Sequence, residues 1–426
     1  MALLTLFVVF ITLMILGAPV AIAMGIASMG YLAIADVKAT VLVLQMVDSL
    51  GGLTLLAIPF FVLAAEIMNQ GGLTERLFGF ATKLIGHVRG GLAHVNILSS
   101  MFFAGISGSA VADAAGLGRI EIKAMTGAGY DRSFAAALTA ASSCIGPIIP
   151  PSILMVIYGT MGDVSIPALF IGGVVPGVLL GVAMMIHVAI VARRKNFPRQ
   201  PRARAGEVVR SFFQNILALG TPAVILAGLV FGLITPTEAG VVAVVYSLLV
   251  SMVYGDFDIR ATGRILEESL ISTTQILFIM SCSALFGWLV TTEQVPERLA
   301  EIFLASSYGR IAFMFAVNIV LLFLGTFMSL TAILIIFTPA LIQLALALGI
   351  DPVHLGVVVV LNLTIGVITP PLGWCLYIVT EIAEIRFVET ARAILPFLIP
   401  LIGVLFLISY VPDLILVPVN MILFGR

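Results

Sequence analysis

Two stretches decide how this chain folds. The first is Gly105-Ile106-Ser107-Gly108-Ser109, followed by Ser142-Ser143-Cys144-Ile145-Gly146-Pro147-Ile148-Ile149-Pro150-Pro151. The second is Gly325-Thr326-Phe327-Met328-Ser329, followed by Asn362-Leu363-Thr364-Ile365-Gly366-Val367-Ile368-Thr369-Pro370-Pro371. Each short motif interrupts an apolar run long enough for a helix, 92–104 in one case and 311–324 in the other. Each Pro-Pro pair removes two backbone donors and clashes with earlier carbonyls, so no helix runs through it. The freed carbonyls lie beside Ser, Thr and Asn side chains. Lipid cannot satisfy them, so such breaks must face protein or a watery cavity. The first motif reads as the tip of a re-entrant hairpin, and the second as an unwound segment. A neutral, oxygen-rich break suits a hard monovalent cation, and half-helix N-termini suit a carboxylate. A kinked helix without a ligand, or a small-residue helix crossing at the Ser-Gly-Ser, is the plainer alternative.

The two stretches are copies. A shift of 220 residues aligns 105–159 with 325–379 without a gap. Gly105 meets Gly325, Ser109 meets Ser329, Gly129 meets Gly349 and Asp131 meets Asp351. Ile145-Gly146 meets Ile365-Gly366, and Pro150-Pro151 meets Pro370-Pro371. Upstream, Glu75-Arg76-Leu77 resembles Glu297-Arg298-Leu299. Gly, Ser, Asp and a proline pair in one register point to an internal duplication.

The composition gives the setting. Of 426 residues, 21 are Lys or Arg and 22 Asp or Glu, while 61% are hydrophobic. Soluble chains carry about 25% charged residues; here the share is 10%. That is too little to cover a water-exposed surface, and there is no basic face for nucleic acid. Charge-free stretches lie at 1–35, 49–65, 90–112, 133–162, 164–192, 211–237, 239–255, 269–292, 311–350, 352–380 and 393–412, and most are long enough for a membrane span. The stretch 311–350 has room for two helices. The fold class is therefore an all-α polytopic membrane protein embedded in a lipid bilayer. A β-barrel is excluded, because its strands would alternate polar and apolar residues.

No Lys or Arg precedes Lys38, so 1–35 reads as a first membrane segment and not a cleaved signal, broken near Gly17-Ala18-Pro19. Cys144, Cys282 and Cys375 have no metal or disulfide spacing. Arg193, Arg194, Lys195, Arg199, Arg202, Arg204 and Arg210 form one basic segment between the halves, cytoplasmic by the positive-inside rule. Inverted repeats need an odd number of crossings each, which puts both termini on the periplasmic side. The segment 73–89 reads as an interfacial amphipathic arm. Glu66 and Glu238 are intramembrane acids or solvated helix-end residues. Trp288 and Trp374 read as interface anchors or packing. There is no HExxH motif and no Lys after Gly as in a phosphate-binding loop, so neither an enzyme nor use of ATP is expected.

Together, Ala57-Ile58-Pro59-Phe60-Phe61, Gly90-Gly91-Leu92-Ala93, Gly105 through Asp113, Gly129-Tyr130, Gly146 through Ser152, Pro176-Gly177, Thr235-Pro236-Thr237-Glu238 and Thr369-Pro370-Pro371 resemble the DctM-like large membrane subunit of tripartite ATP-independent periplasmic (TRAP) transporters. The resemblance runs from near residue 5 to near 410. It implies an elevator-type, Na⁺-coupled importer of an organic anion such as a C4-dicarboxylate, a sialic acid or another sugar acid. It implies an inner-membrane location, with a small membrane subunit and a periplasmic substrate-binding protein as partners and no cofactor beyond the coupling Na⁺. Carried over, one Na⁺ site would use Ser107, Ser109, Ser142 and Gly146, and the other Thr326, Ser329, Thr364 and Gly366. Gly105, Gly108, Asp113, Ser143, Pro147, Pro150, Pro151, Gly325, Asn362, Thr369, Pro370 and Pro371 would shape the tips and breaks around the substrate. Asp113 would orient an Arg or the tip itself, or simply sit as an acid at a helix N-terminus. The first inverted repeat would be 1–192, with scaffold at about 1–50 and 164–192 and a transport part at about 51–162. The linker would be 193–210. The second repeat would be 211–426, with scaffold at about 211–260 and 390–426 and a transport part at about 269–380. A single-subunit Na⁺/carboxylate symporter shares the hairpin plan, and a passive channel is the reading from a different class.

Overall fold

A computed structural model describes residues 2–38, 40–70, 73–195, 197–255, 262–305 and 308–425. Asn196 of the linker and the end of the second scaffold stretch near 260 lie outside the described residues, as do the side chains of Ile106 and Glu297. The described residues form helices and no strand. The first half contains α1 (Ala2–Ile15), α2 (Val20–Ile34), α3 (Thr40–Asp48), α4 (Ala57–Gln70), α5 (Leu73–Ile85), α6 (Gly91–Ser107), α7 (Ala110–Ala115), α8 (Leu117–Gly127), α9 (Arg132–Ser143), α10 (Ile153–Gly162) and α11 (Ile166–Lys195). The second contains α12 (Ala205–Gln214), α13 (Ile216–Val230), α14 (Pro236–Tyr254), α15 (Thr262–Thr292), α16 (Val295–Leu304), α17 (Gly309–Gly325), α18 (Leu330–Ala347), α19 (Pro352–Gly366), α20 (Trp374–Ala383), α21 (Phe387–Tyr410) and α22 (Asp413–Phe424).

By length and composition, α11, α14, α15, α18 and α21 are each able to cross a membrane, and α12 with α13 makes a pair bent by 56°. Val178, Val182, Ile186 and Ile190 run down one exposed side of α11 at i, i+4 spacing. An outward apolar stripe of that kind is what lipid, and not water, accommodates. The first segment breaks between α1 and α2, where Gly17 takes a left-handed φ of 83°.

The halves repeat from α6 to α10 and from α17 to α20, with α7 and α8 of the first half matching the single α18 of the second. Ser109 caps Ala112 N–H and Ser329 caps Ala332 N–H. Asp131 caps Phe134 N–H, and Asp351 caps Val353 and His354 N–H. Each such cap is worth about 1 kcal/mol. Gly129 and Gly349 both take positive φ, and the Pro150-Pro151 and Pro370-Pro371 bonds are both cis. The copies interlock: α10 packs on α18 and α19, while α20 packs on α7, α8 and α9. Cys144 Sγ lies 3.0 Å from the carbonyl of Thr364. Those two positions are equivalent under the 220-residue shift. Equivalent positions of the two breaks therefore touch.

Packing gathers the helices into two groups, which meet where α15 packs on α18. In one, α4 packs on α14, α1 on α2, and α15 on α2, α3 and α4. In the other, α6 packs on α9 and α17 on α19. The stretches 164–192 and 390–426 pack as follows: α11 packs on α6, α19, α21 and α22, and α21 packs on α9 and α19. Helices α9 and α19, which carry the breaks, are buried almost all round and need cover on every side.

Candidate functional site

At the first tip, α6 ends at Ser107, and Gly108 continues with φ 58° in the left-handed region. A side chain there would meet Pro151 O at 2.8 Å, so the tip lies directly on the proline pair of its own repeat. Ser107 Oγ donates to Asp113 Oδ1 and accepts from Ser109 N–H at 3.4 Å. A Cβ on Gly146 would collide with Asp113 Oδ2. Ser107, Ser109, Asp113 and Gly146 are thus brought into one knot of oxygens, with Asp113 tied to the tip and not to an Arg. Asp113 is buried, and its Oδ2 has no protein partner. Gly105 marks a close helix approach, because a side chain there would collide with Pro222 of α13.

The second tip makes the same docking with different chemistry. A Cβ on Gly325 would lie 3.0 Å from Gly366 Cα, and one on Gly366 would lie 2.8 Å from Gly325 Cα. The backbones touch, as only glycine allows. Thr326 Oγ1 donates to Phe323 O at 2.7 Å, and its own carbonyl accepts from Gly373 N–H at 3.4 Å. Ser142, Ser143, Thr364 and Thr369 donate their hydroxyls back into their own helices, to Thr139, Ala140, Leu361 and Ile365 carbonyls. Their oxygens keep lone pairs for a further partner. Asn362 Nδ2 donates to both oxygens of Asn318 at 2.9 Å, and Asn318 Nδ2 donates to Ser409 Oγ at 2.9 Å, tying α17, α19 and α21 together.

The tips share one cavity of about 490 Å³. Ser107, Gly108, Ser109 and Asp113's neighbour Ala112 line it from the first hairpin, and Ser329, Leu330 and Thr331 from the second. Pro147 and Val367 come from the breaks. The far wall is α4 and α15 of the other helix group, through Val62, Ala65, Glu66, Ser272 and Ile276. Trp374, Tyr377 and Ile378 of α20 complete it. Ser142, Ser143, Thr364, Thr369, Asn362 and the proline pairs lie outside this lining. Among the described residues, Glu66 is the one charged residue in its lining, and no Lys or Arg faces it. Trp374 is 56% exposed and is part of this wall, not buried packing. Ser272, Thr331 and Tyr377 were not singled out in the sequence. Only Tyr377 left a signal, three residues past Trp374 on the helix that follows the second break.

Glu238 accepts from Thr235 N–H at 2.7 Å in a capping box at the start of α14, which settles it as a helix-end residue. The arm helix α5 packs on α6 and α12, with Arg76 stacked 4.6 Å over the Tyr254 ring. All three cysteines are free and buried.

Comparison with known proteins agrees with this geometry. Residues 7–414 match the family model described as tripartite ATP-independent periplasmic transporter, DctM component. The chain is 43% identical over 370 residues to the sialic acid TRAP transporter large permease protein SiaM of Vibrio cholerae, covering 87% of each chain. It is 41% identical over 360 residues to the C4-dicarboxylate TRAP transporter large permease protein DctM of Pseudomonas aeruginosa, covering 84% of each. It is 36% identical over 411 residues to the 2,3-diketo-L-gulonate TRAP transporter large permease protein YiaN of Escherichia coli, covering 96% of each. Among solved structures, the YdaH transporter of Alcanivorax borkumensis shares the fold with a TM-score of 0.65 at 16% identity over 88% of each chain. The chain therefore belongs to the DctM family, the large multi-pass permease component of tripartite ATP-independent periplasmic transporters, and is not an enzyme.

Proposed function

We propose that this permease imports an organic acid across the inner membrane by coupling it to Na⁺, receiving it from a periplasmic binding protein and working beside a small membrane subunit. The observation that carries the reading is the shared cavity between both tips and the other helix group. An anion entering it meets Glu66, hydroxyls, the N-terminus of α18 and no cationic side chain. An unbalanced negative charge there is costly. Co-bound cations beside the tips offset it, and the oxygen knot of Ser107, Ser109, Asp113 and Gly146 offers one place for them. The first site would use Ser107, Ser109, Ser142 and Gly146, and the second Thr326, Ser329, Thr364 and Gly366. Relatives named for sialic acid, C4-dicarboxylates and diketogulonate make a carboxylate the natural substrate class.

The hairpin group, including α11 and α21, would move as one body against α1–α4 and α13–α15, carrying the cavity's inner wall past α4 and α15. The two halves would be inverted repeats, with both termini periplasmic and the basic linker cytoplasmic. A reporter fused to the C-terminus and active only in the cytoplasm would contradict that topology. The transport reading is tested in proteoliposomes holding the complete three-part system. Sialic acid or succinate supplied with the binding protein should accumulate uphill under an inward Na⁺ gradient and stop when the gradient collapses. Accumulation indifferent to Na⁺ would overturn the coupling. Uptake without a binding protein would point to a single-subunit symporter.

A further inference from the structure

A second buried carboxylate lies away from the cavity. Across α8, Arg119 and Lys123 point outward and are exposed, while Glu121 between them turns inward and is 1% exposed. Residues two apart on a helix lie on nearly opposite faces. Inside, Glu121 Oε2 accepts from Asn96 Nδ2 at 2.6 Å. The same amide donates its other hydrogen to Thr139 Oγ1 at 2.8 Å. Asn96 is fully buried. Two atoms of this cluster then have no partner: Oε1 of Glu121 and Oδ1 of Asn96. They belong to the two side chains that already meet through Oε2 and Nδ2. A carboxylic acid and a carboxamide pair in that way, with amide N–H to acid oxygen and acid O–H to amide oxygen. One hydrogen on Oε1, directed at Oδ1, would supply what both orphan atoms lack.

Among the described residues, no salt bridge or hydrogen bond pairs Glu121 with a cationic side chain. The helices packed on α8 are α5, α6, α7, α9 and α20. Their cations are Arg76 and Lys83 on α5, His94 on α6 and Arg132 on α9, and their acids are Glu75, Asp113 and Glu381. An ionised carboxylate in such a place is costly without a cation, and it escapes that cost by taking up a proton. The packing is also tight: a Cβ on Gly118 would lie 2.9 Å from Thr139 Cγ2. A proton needs no extra volume, whereas a metal ion needs a shell of several oxygens.

We propose that Glu121, Asn96 and Thr139 form a proton site in the first repeat, separate from the cavity, where Glu121 is held as the neutral acid paired with Asn96. Carboxylate and proton combine to the acid, and no other reactant is needed.

The test uses purified full-length permease in lipid nanodiscs, without substrate or Na⁺, at about pH 7, well above the ordinary glutamate value of about 4.3. Infrared spectra of protein with ¹³C-labelled glutamate should show an isotope-shifted carboxylic-acid carbonyl band that also moves in D₂O. Glu121→Gln should abolish that band. Should this variant fail to fold, Asn96→Ser should shift the band by removing its partner. No protonated-glutamate band in the labelled wild type would overturn the proposal. A band that persists in Glu121→Gln, or is unmoved in Asn96→Ser, would also overturn it. So would a band that vanishes on adding NaCl at fixed pH, since the occupant would then be a metal cation.

Discussion

The two repeats share a backbone plan and differ in charge. In the first, Asp113 sits behind the tip and Glu121 behind the broken helix, both buried. The equivalent positions in the second are Ile333 and Leu341. Where the first repeat holds Asn96 against an acid, the second holds Asn318 against Asn362 and Ser409, all neutral. The duplication preserved what the backbone requires, namely the serine caps, positive-φ glycines and proline pairs. It did not preserve the buried carboxylates. The common architecture therefore follows from backbone chemistry, and whatever charge-dependent chemistry the hairpin unit performs belongs to the first repeat.

That contrast can be broken in several ways, from the largest expected effect down. Asp113→Asn should raise the Na⁺ concentration for half-maximal uptake about tenfold or more, since a tenfold change corresponds to about 1.4 kcal/mol and hydrogen bonds to charged groups are worth about 1.5–3 kcal/mol. Thr326→Ala at the neutral tip should raise it several-fold less. Equal shifts would show that the acid gives the first tip no advantage. Gly366→Ala forces a side chain against Gly325 and should cost about 1–3 kcal/mol, read as a lowered melting temperature of the purified permease. Unchanged melting would mean the second tip is not docked on its break. Ser109→Ala and Ser329→Ala each remove one helix cap and should lower stability by a similar amount, about 1 kcal/mol, despite their different surroundings. Arg132→Ala breaks a 3.2 Å pair with Glu384 whose side chains are 55% and 79% exposed. It should cost no more than about 1 kcal/mol.

Much of this was legible in the sequence. The Pro-Pro pairs and the Gly-Ser tips interrupt their apolar runs, and their recurrence at one spacing let the hairpins and breaks be placed ahead of the plainer kinked-helix alternative. The split of 311–350 into α17 and α18, and the break at Gly17, followed from the same rules. The 220-residue register exposed the duplication. What could not be read depends on which helix faces which. That 164–192 and 390–426 cover α9 and α19 is decided by packing, and their uniform apolarity gives no direction. Ser272 reaches the cavity only because α15 crosses α4. Glu121 sits between Arg119 and Lys123, a pattern that reads as a solvated face, and only the inward turn of α8 shows otherwise.

The central claim is that both tips line one cavity for a single anion. Val111→Cys, on the first hairpin, and Thr331→Cys, on the second, both line that cavity and leave the proposed Na⁺ ligands intact. The native cysteines are buried, so background labelling should be low. Labelling by a small water-soluble thiol reagent, with sialic acid or succinate present, tests the claim directly. The account predicts that the same anion protects both cysteines, and only when Na⁺ is present. Protection of one tip alone, or protection indifferent to Na⁺, would contradict it.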